Sequence, residues 1–273
     1  QAEDGIRDRS PSRGLGDVYK RQDFYTPGAT LQVVKAADNS IIMSGPAVAW
    51  HGGASYDQSG DIVWWFDFSA VTTPGTYFIY DPLNVKRSFT FDIRADVYTE
   101  VLKKSVRMFY YQRSGFAKTA PFAYDWADGA SHLGTQQDLD CRLVTNPVPG
   151  TSKQLQGGWF DAGDYNKYVN FAYEPIHDLS LAYIERPEVW TDDYNIPESG
   201  NGIPDLLDEM KWELDWLRRM QLANGSMLMK VSVTDFSAAS PPSADTGARR
   251  YGPAQASATV SYTHLTLPTN REV

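Results

Sequence analysis

Two apolar periods divide this chain. Between residues 23 and 94 the apolar positions fall in short, β-prone runs separated by turn residues. Residues 30–34 (TLQVV) and 41–43 (IIM) flank Ala37-Asp38-Asn39-Ser40, a turn signal. Residues 62–68 (IVWWFDF) form a richer run, and Thr73-Pro74-Gly75 leads into 76–80 (TYFIY). Residues 88–93 (SFTFDI) alternate polar and apolar at period two, the pattern of a half-buried strand. Five strands at this spacing predict a β-sandwich. Trp64 and Trp65 are expected in its core or at an interdomain contact, because such a strand buries at least one of the two.

From residue 95 the period lengthens. Tyr98, Leu102, Val106 and Phe109 fall four, four and three apart, one face of a helix, with Asp96 as candidate N-cap and an end near Arg113. Residues 114–156 read as a long irregular stretch; a loop of that length in a compact domain is usually functional or disordered, and because it runs on towards Asp161 it is expected to help build a cleft. A second helix is predicted over 175–185, with Ile176, Leu179 and Tyr183 on one face. A third begins at Pro204, well suited to the first helical position, with Leu207, Met210, Leu214 and Leu217 as its buried stripe. Asp205, Asp208 and Glu209 in its first turns and Arg218 and Arg219 near its end complement the helix dipole. Asn224-Gly225 ends it. Residues 227–233 are β-prone and 236–254 loop-like.

Composition narrows the function. Hydrophobic residues make up 42% of the 273, enough for a packed core, and aromatic residues 13%, an excess that fits a protein handling sugars. The net charge of −9 argues against nucleic acid as partner, since phosphate binding needs clustered Lys and Arg. One cysteine, Cys141, permits no internal disulfide and no cysteine-based zinc site. His51, His132, His177 and His264 are scattered, and no apolar run approaches membrane-spanning length.

The chemistry concentrates at residues 157–169, GGWFDAGDYNKYV. Asp161 and Asp164 lie three apart with only Ala162 and Gly163 between them, so a water has room to approach both acids. Gly163 permits backbone angles closed to other residues and is expected to supply the tight turn. Trp159, Phe160, Tyr165 and Tyr168 are candidate walls for a sugar. A plainer reading stays open, in which Asp161 caps a helix beginning near Asp164. A calcium loop of the EF-hand type needs Gly at its sixth position, where Asn166 stands.

The longer string resembles the catalytic-base motif of glycoside hydrolase family 9. Residues 109–115 (FYYQRSG) look like that family's helix-end motif, with Ser114 where the family often has Cys. Residues 196–209 (IPESGNGIPDLLDE) match another of its motifs, and 242–246 (PSADT) and 251–254 (YGPA) continue the series in family order. The resemblance implies an immunoglobulin-like β-sandwich over 23–94, followed over 95–260 by the first part of an all-α (α/α)6 barrel. Residues 1–22 and 261–273 resemble translated adapter or vector sequence, or are the ends of an unusual homologue. Both are set apart from the fold, and the natural start is expected elsewhere.

It also implies an inverting hydrolase of β-1,4-glucan, cellulase-like, with Asp164 as the base that activates water and Asp161 holding the same water. The general acid of the family is a Glu near the far end of the barrel. No stretch here matches that motif, no general acid is assigned, and the chain by itself is expected to be inactive. No cofactor is required by the resemblance, and structural calcium finds no support in this stretch. A β-glucan or oligosaccharide is the expected partner, the protein a monomer, secreted or periplasmic. An exo-acting β-glucosidase and a non-catalytic carbohydrate-binding protein remain as alternatives. The intact acid pair favours an enzyme.

Overall fold

The computed structural model describes residues 25–236 and 239–266. Segment 1–22 and residues 267–273 lie outside them. The described residues divide into two compact units, one ending at Thr99 and the other beginning at Glu100.

In the first unit β1 (Thr30–Lys35) and β2 (Ile41–Pro46) form an antiparallel hairpin. Its turn is the expected one. Asn39 sits at φ 59°, and Asp38 accepts hydrogen bonds from the Ser40 backbone and hydroxyl, which is why Asp and Asn serve at such a corner. Next come β3 (Val48–Ala49), β4 (Trp64–Trp65), β5 (Gly75–Asp81), β6 (Lys86–Arg87) and β7 (Phe91–Ile93). β5 pairs with β1 along one edge and with β6 and β7 along the other, while β3 and β4 make a separate two-stranded sheet. Val33, Val71 and Tyr77 are buried, with Met43, Phe66, Phe68 and Phe91 packed on them.

Two expectations change here. The run 62–68 is a strand only at Trp64 and Trp65. The alternation carries Phe66 and Phe68 towards the core, so Trp64 is half-buried and Trp65 is 62% exposed, and neither tryptophan is a core residue. The predicted strand 88–93 is interrupted at Ser88. Its hydroxyl takes the Ile79 N–H at 2.8 Å, in place of a carbonyl, so the ladder breaks between β6 and β7.

Among the described residues the second unit holds four α-helices. α1 (Thr99–Gln112) buries Val106 and Tyr110, while Tyr98, assigned to the same face by spacing, lies before the helix and is exposed. β8 (Arg142–Leu143) and β9 (Lys167–Tyr168) precede α2 (Val169–Glu185). α2 starts six residues before the predicted Pro175, which lies inside the helix. Buried Val169, Ala172 and Ile176 hold the first turns against the core and offset the one hydrogen bond the proline removes.

α3 (Asp205–Met220) starts one residue after Pro204. Its buried face is turned from the predicted stripe. Leu206, Met210, Trp216, Leu217 and Met220 are buried together with Asp205, Glu209 and Glu213, and Leu207 and Leu214 are only partly so. β10 (Lys230–Val233) and β11 (Arg249–Tyr251) complete a sheet of order β8-β11-β10-β9. β11 falls in the stretch read as loop, because one of its two inward residues is Arg249, which no hydropathy pattern marks. α4 (Ala256–Thr266) packs on α2 and brings Tyr262 against the core. Residues 261–266, set apart by sequence, thus belong to the folded unit. No helix among the described residues is long and apolar enough to cross a membrane.

Candidate active site

The end of α1 carries the loop that holds Asp161 and Asp164. The Gln112 carbonyl accepts the Phe160 N–H at 2.8 Å, and the Gly158 carbonyl accepts the Ser114 N–H at 2.8 Å. Gly157 and Gly158 have φ of 92° and 77°. A Cβ on Gly158 would lie 2.7 Å from the Trp216 ring, so this position requires glycine twice over. The loop then closes on itself: the Asp161 N–H reaches the Asn166 carbonyl at 2.8 Å.

Gly163 does not make the turn. It is not among the residues of positive φ, and a side chain there would meet nothing within 4 Å. Tyr165 takes the left-handed conformation instead, at φ 60°. Gly163 therefore leaves the space beside the two acids open and supplies no turn.

The two carboxylates differ in their surroundings. Asp164 is half-buried. Its Oδ1 accepts the Asn166 backbone N–H at 3.1 Å and its Oδ2 the Asn166 side-chain amide at 2.8 Å. Asn166 is fixed in turn, accepting the Val233 N–H at 3.0 Å. Asp161 lies open to solvent. Desolvation at the base of the loop, and after it the charge of Asp164, push its carboxyl above the ordinary range. The helix of this region begins at Val169, with Tyr168 as its N-cap residue and no side-chain cap, which removes helix capping as the role of Asp161.

The aromatic walls are mostly absent. Trp159 is buried against Phe109 at 4.5 Å between ring centres, and Phe160 and Tyr165 are buried with His132 at about 5 Å from each. Only Tyr168 is part-exposed, beside Phe171.

Beneath the loop lie two charged clusters that sequence reading missed. Asp138, Lys167 and Arg249 are fully buried. Asp138 takes Lys167 Nζ on one oxygen and Arg249 Nε on the other, both at 2.6 Å. Lys167 also donates to the carbonyls of Gly157 at 2.6 Å and Leu155 at 2.9 Å, and Arg249 Nη2 to that of Tyr165 at 2.7 Å. Burial pushes the Asp138 carboxyl up, but Arg249 and Lys167 outweigh it and hold it below the usual carboxylate range. The second cluster is centred on buried Arg113, which pairs with Glu198 at 2.9 Å and Glu209 at 2.8 Å and lies over the Trp212 ring. Burial raises Glu209 to about 7, with Arg113 pulling the other way. Glu213, also buried, accepts the Trp159 N–H at 2.6 Å and is raised by burial to about 8.

His132 is buried, 3.1 Å from Asp245, and burial lowers it to about 4. His177 is a half-exposed neighbour of Tyr173. Cys141 is buried and free, its thiol pushed by burial to about 12. Among the described residues no group of three or more His, Cys, Asp or Glu is placed to hold a metal ion.

The segments that resembled one family therefore converge. Residues 109–115, 157–169 and 196–209 are laced together by Arg113, and Asp245 reaches the loop's underside through His132. The family model described as Glycosyl hydrolase family 9 matches residues 98–267. The chain belongs to glycoside hydrolase family 9. Residues 20–82 match the cellulase N-terminal ig-like domain.

This family 9 chain is 40% identical over 163 residues to a xyloglucan-specific endo-beta-1,4-glucanase of Bacteroides ovatus, covering 57% of the chain and 26% of that protein. It is 31% identical over 242 residues to endoglucanase D of Acetivibrio thermocellus, covering 87% of the chain and 37% of that protein. The crystal structure of a metagenome-derived glycoside hydrolase family 9 endoglucanase superposes with a TM-score of 0.73 at 33% identity, over 87% of the chain and 42% of the other. The chain thus spans about a quarter to two fifths of the length of these relatives.

Proposed function

We propose that the protein hydrolyses β-1,4-glucan with inversion at the anomeric carbon. Asp164 is the base that takes a proton from water, and Asp161 orients that water. The observation that carries this reading is the asymmetry of the acid pair: one carboxylate held by two donors from Asn166, the other open, with bare space at Gly163 between them. An inverting glycosidase needs its base fixed and room for one water between that base and the sugar. A proton acceptor held in one orientation is worth about 10²–10⁴-fold in rate. A protein that only bound sugar would have no use for two acids set around an open space.

In this reading α1 to α4 belong to an (α/α)6 barrel and the first unit is an immunoglobulin-like sandwich. The whole protein acts outside the cytoplasm as a monomer, and the general acid comes from outside the residues discussed here. The family match and the names of the relatives support the glucan-cleaving activity, and the match of residues 20–82 supports the immunoglobulin-like unit.

Inversion is tested by proton NMR of the freshly released product of soluble β-glucan, followed in time with the whole protein. The α-anomer should appear first and mutarotate to the β-anomer. A β-anomer formed first would overturn the assignment of a water-activating base.

A further inference from the structure

We propose that Arg249 and Lys167 are positioning residues for the Asp164 carboxylate, acting through the backbone on either side of it. The inference rests on the reading of Asp164 as the base, and its test separates the two claims.

The argument starts with Tyr165. It follows Asp164 directly and sits at φ 60°, a conformation bulky side chains avoid. Such a residue persists only where its surroundings over-determine it. Three bonds do so here. Its carbonyl accepts from Arg249 Nη2 at 2.7 Å, its N–H donates to the Ala162 carbonyl at 3.2 Å, and its hydroxyl donates to the Ala239 carbonyl at 3.1 Å. The Arg249 bond is charge-assisted and fully buried, and therefore the strongest.

Lys167 holds the other flank. Its Nζ grips the Gly157 and Leu155 carbonyls, where the chain enters the loop. Between Tyr165 and Lys167 lies Asn166, whose backbone and amide N–H groups are the two donors that aim Asp164. Asn166 is thus flanked by one clamped carbonyl and one buried cation. Asp138 completes the device, its two oxygens fixing the separation of Arg249 from Lys167.

Stability alone does not call for this arrangement. Burying three charges costs desolvation that well-packed apolar residues would avoid. Here the donors of two buried cations point at main-chain carbonyls of one loop, and that loop carries both acids. A displacement of about 1 Å at a reacting group is enough to cost about 10²-fold in rate, so the arrangement serves aim.

Arg249→Lys tests the idea. It keeps a cation for Asp138, but a single ammonium does not reproduce the fork that spans Asp138 and the Tyr165 carbonyl. In the 273-residue chain, the Asp161 carboxyl is titrated by carbon-13 NMR alongside thermal melting. Arg249→Lys should leave the melting transition cooperative and move the Asp161 midpoint down towards the ordinary carboxylate range, because the loop opens. Arg250→Lys, next door but turned to Gln136, should leave that midpoint unmoved. In the whole protein, Arg249→Lys should lower kcat by at least about tenfold with KM within about twofold. Added to Asp164→Asn it should cost clearly less than in the parent, since its route through the base is then gone.

A folded Arg249→Lys with the parent's Asp161 midpoint and the parent's kcat overturns the proposal. So does a kcat loss repeated in full on the Asp164→Asn background. If Arg249→Lys fails to fold, Lys167→Arg is read by the same measurements and the same criteria. If Asp164→Asn itself keeps its kcat, the reading of Asp164 as base falls, and the Asp161 midpoint alone decides the positioning claim.

Discussion

The pattern Asp-x-x-Asp occurs three times in the second unit, and two of its copies, at 161–164 and 205–208, do opposite things. Asp161 and Asp164 stand on a loop with Ala162 and Gly163 between them. One carboxylate is held by Asn166 and the other is open. Asp205 and Asp208 stand on the first turn of α3 with two leucines between them. Asp205 is fully buried, accepting the Tyr194 N–H at 2.6 Å and the Ser199 hydroxyl at 2.8 Å, and Asp208 takes the Asn201 amide at 3.0 Å. Spacing is the same, so spacing does not decide the role. The backbone decides it. A helix commits one acid to the interior and ties the other to the preceding loop, whereas a closed loop leaves both at one open face.

Further along α3 the contrast deepens. Asp205, Glu209 and Glu213 are four apart and form a buried acidic row, each with partners inside the fold. If that row is structural and the loop acids are chemical, the two sets should respond to mutation in different measurements.

The largest effect on stability should follow Glu209→Ala. It takes one partner from fully buried Arg113 and leaves Glu198 alone to balance it. Breaking a buried pair from one side costs about 3–5 kcal/mol, to be read from chemical denaturation. A loss under about 1 kcal/mol would show that the Arg113 cluster is not a strut.

Next comes a dependence on pH at Glu213. Its carboxyl is raised to about 8 in the fold, against about 4.3 in an unfolded chain. Between these values the folded state binds the extra proton. Stability from this group is therefore fully present below about pH 4 and is lost as pH rises towards 8. Glu213→Gln keeps an acceptor for the Trp159 N–H without the titration. Relative to the parent it should gain a few kcal/mol between pH 5 and pH 8, each tenfold in proton affinity being about 1.4 kcal/mol. Parallel stability profiles for the two proteins would contradict the assignment.

The smallest effect is expected at the helical copy's outer acid. Asp208→Asn keeps a polar group beside Asn201 and should shift stability by no more than about 0.5 kcal/mol. A larger loss would give this acid a role that its partners do not show.

How far the sequence carried these conclusions differs between the two copies. The loop was legible because its glycines, its small central residues and its neighbours form one long string that resembles a known family. What misled was attribution within it. Composition points to Gly163 as the turning residue, but Tyr165 turns, with its carbonyl held by Arg249 from a distant strand. Local sequence offers Trp159, Phe160 and Tyr165 as walls of a sugar site, but their partners, Phe109 and His132, lie far off in sequence and bury them.

The first three helices were legible from apolar period, with boundaries missed where burial overrode local preference, as at Pro175 inside α2, whereas α4 was not legible. The acidic row of α3 and the Asp138–Lys167–Arg249 cluster were invisible for one reason. Hydropathy reads a buried charge as a surface residue, and only tertiary pairing reverses that. Glu209 and Arg113 lie in two of the resembling motifs, but nothing in either string says that they meet.

The central claim is that Asp164 is the base and Asp208 is not. The most direct measurement is kcat on soluble β-glucan together with the melting temperature, in the whole protein, for Asp164→Asn and Asp208→Asn side by side. The account predicts that Asp164→Asn melts within a few degrees of the parent and loses at least about 10²-fold in kcat with KM little changed, while Asp208→Asn keeps both. A well-folded Asp164→Asn protein with kcat near the parent's would contradict it.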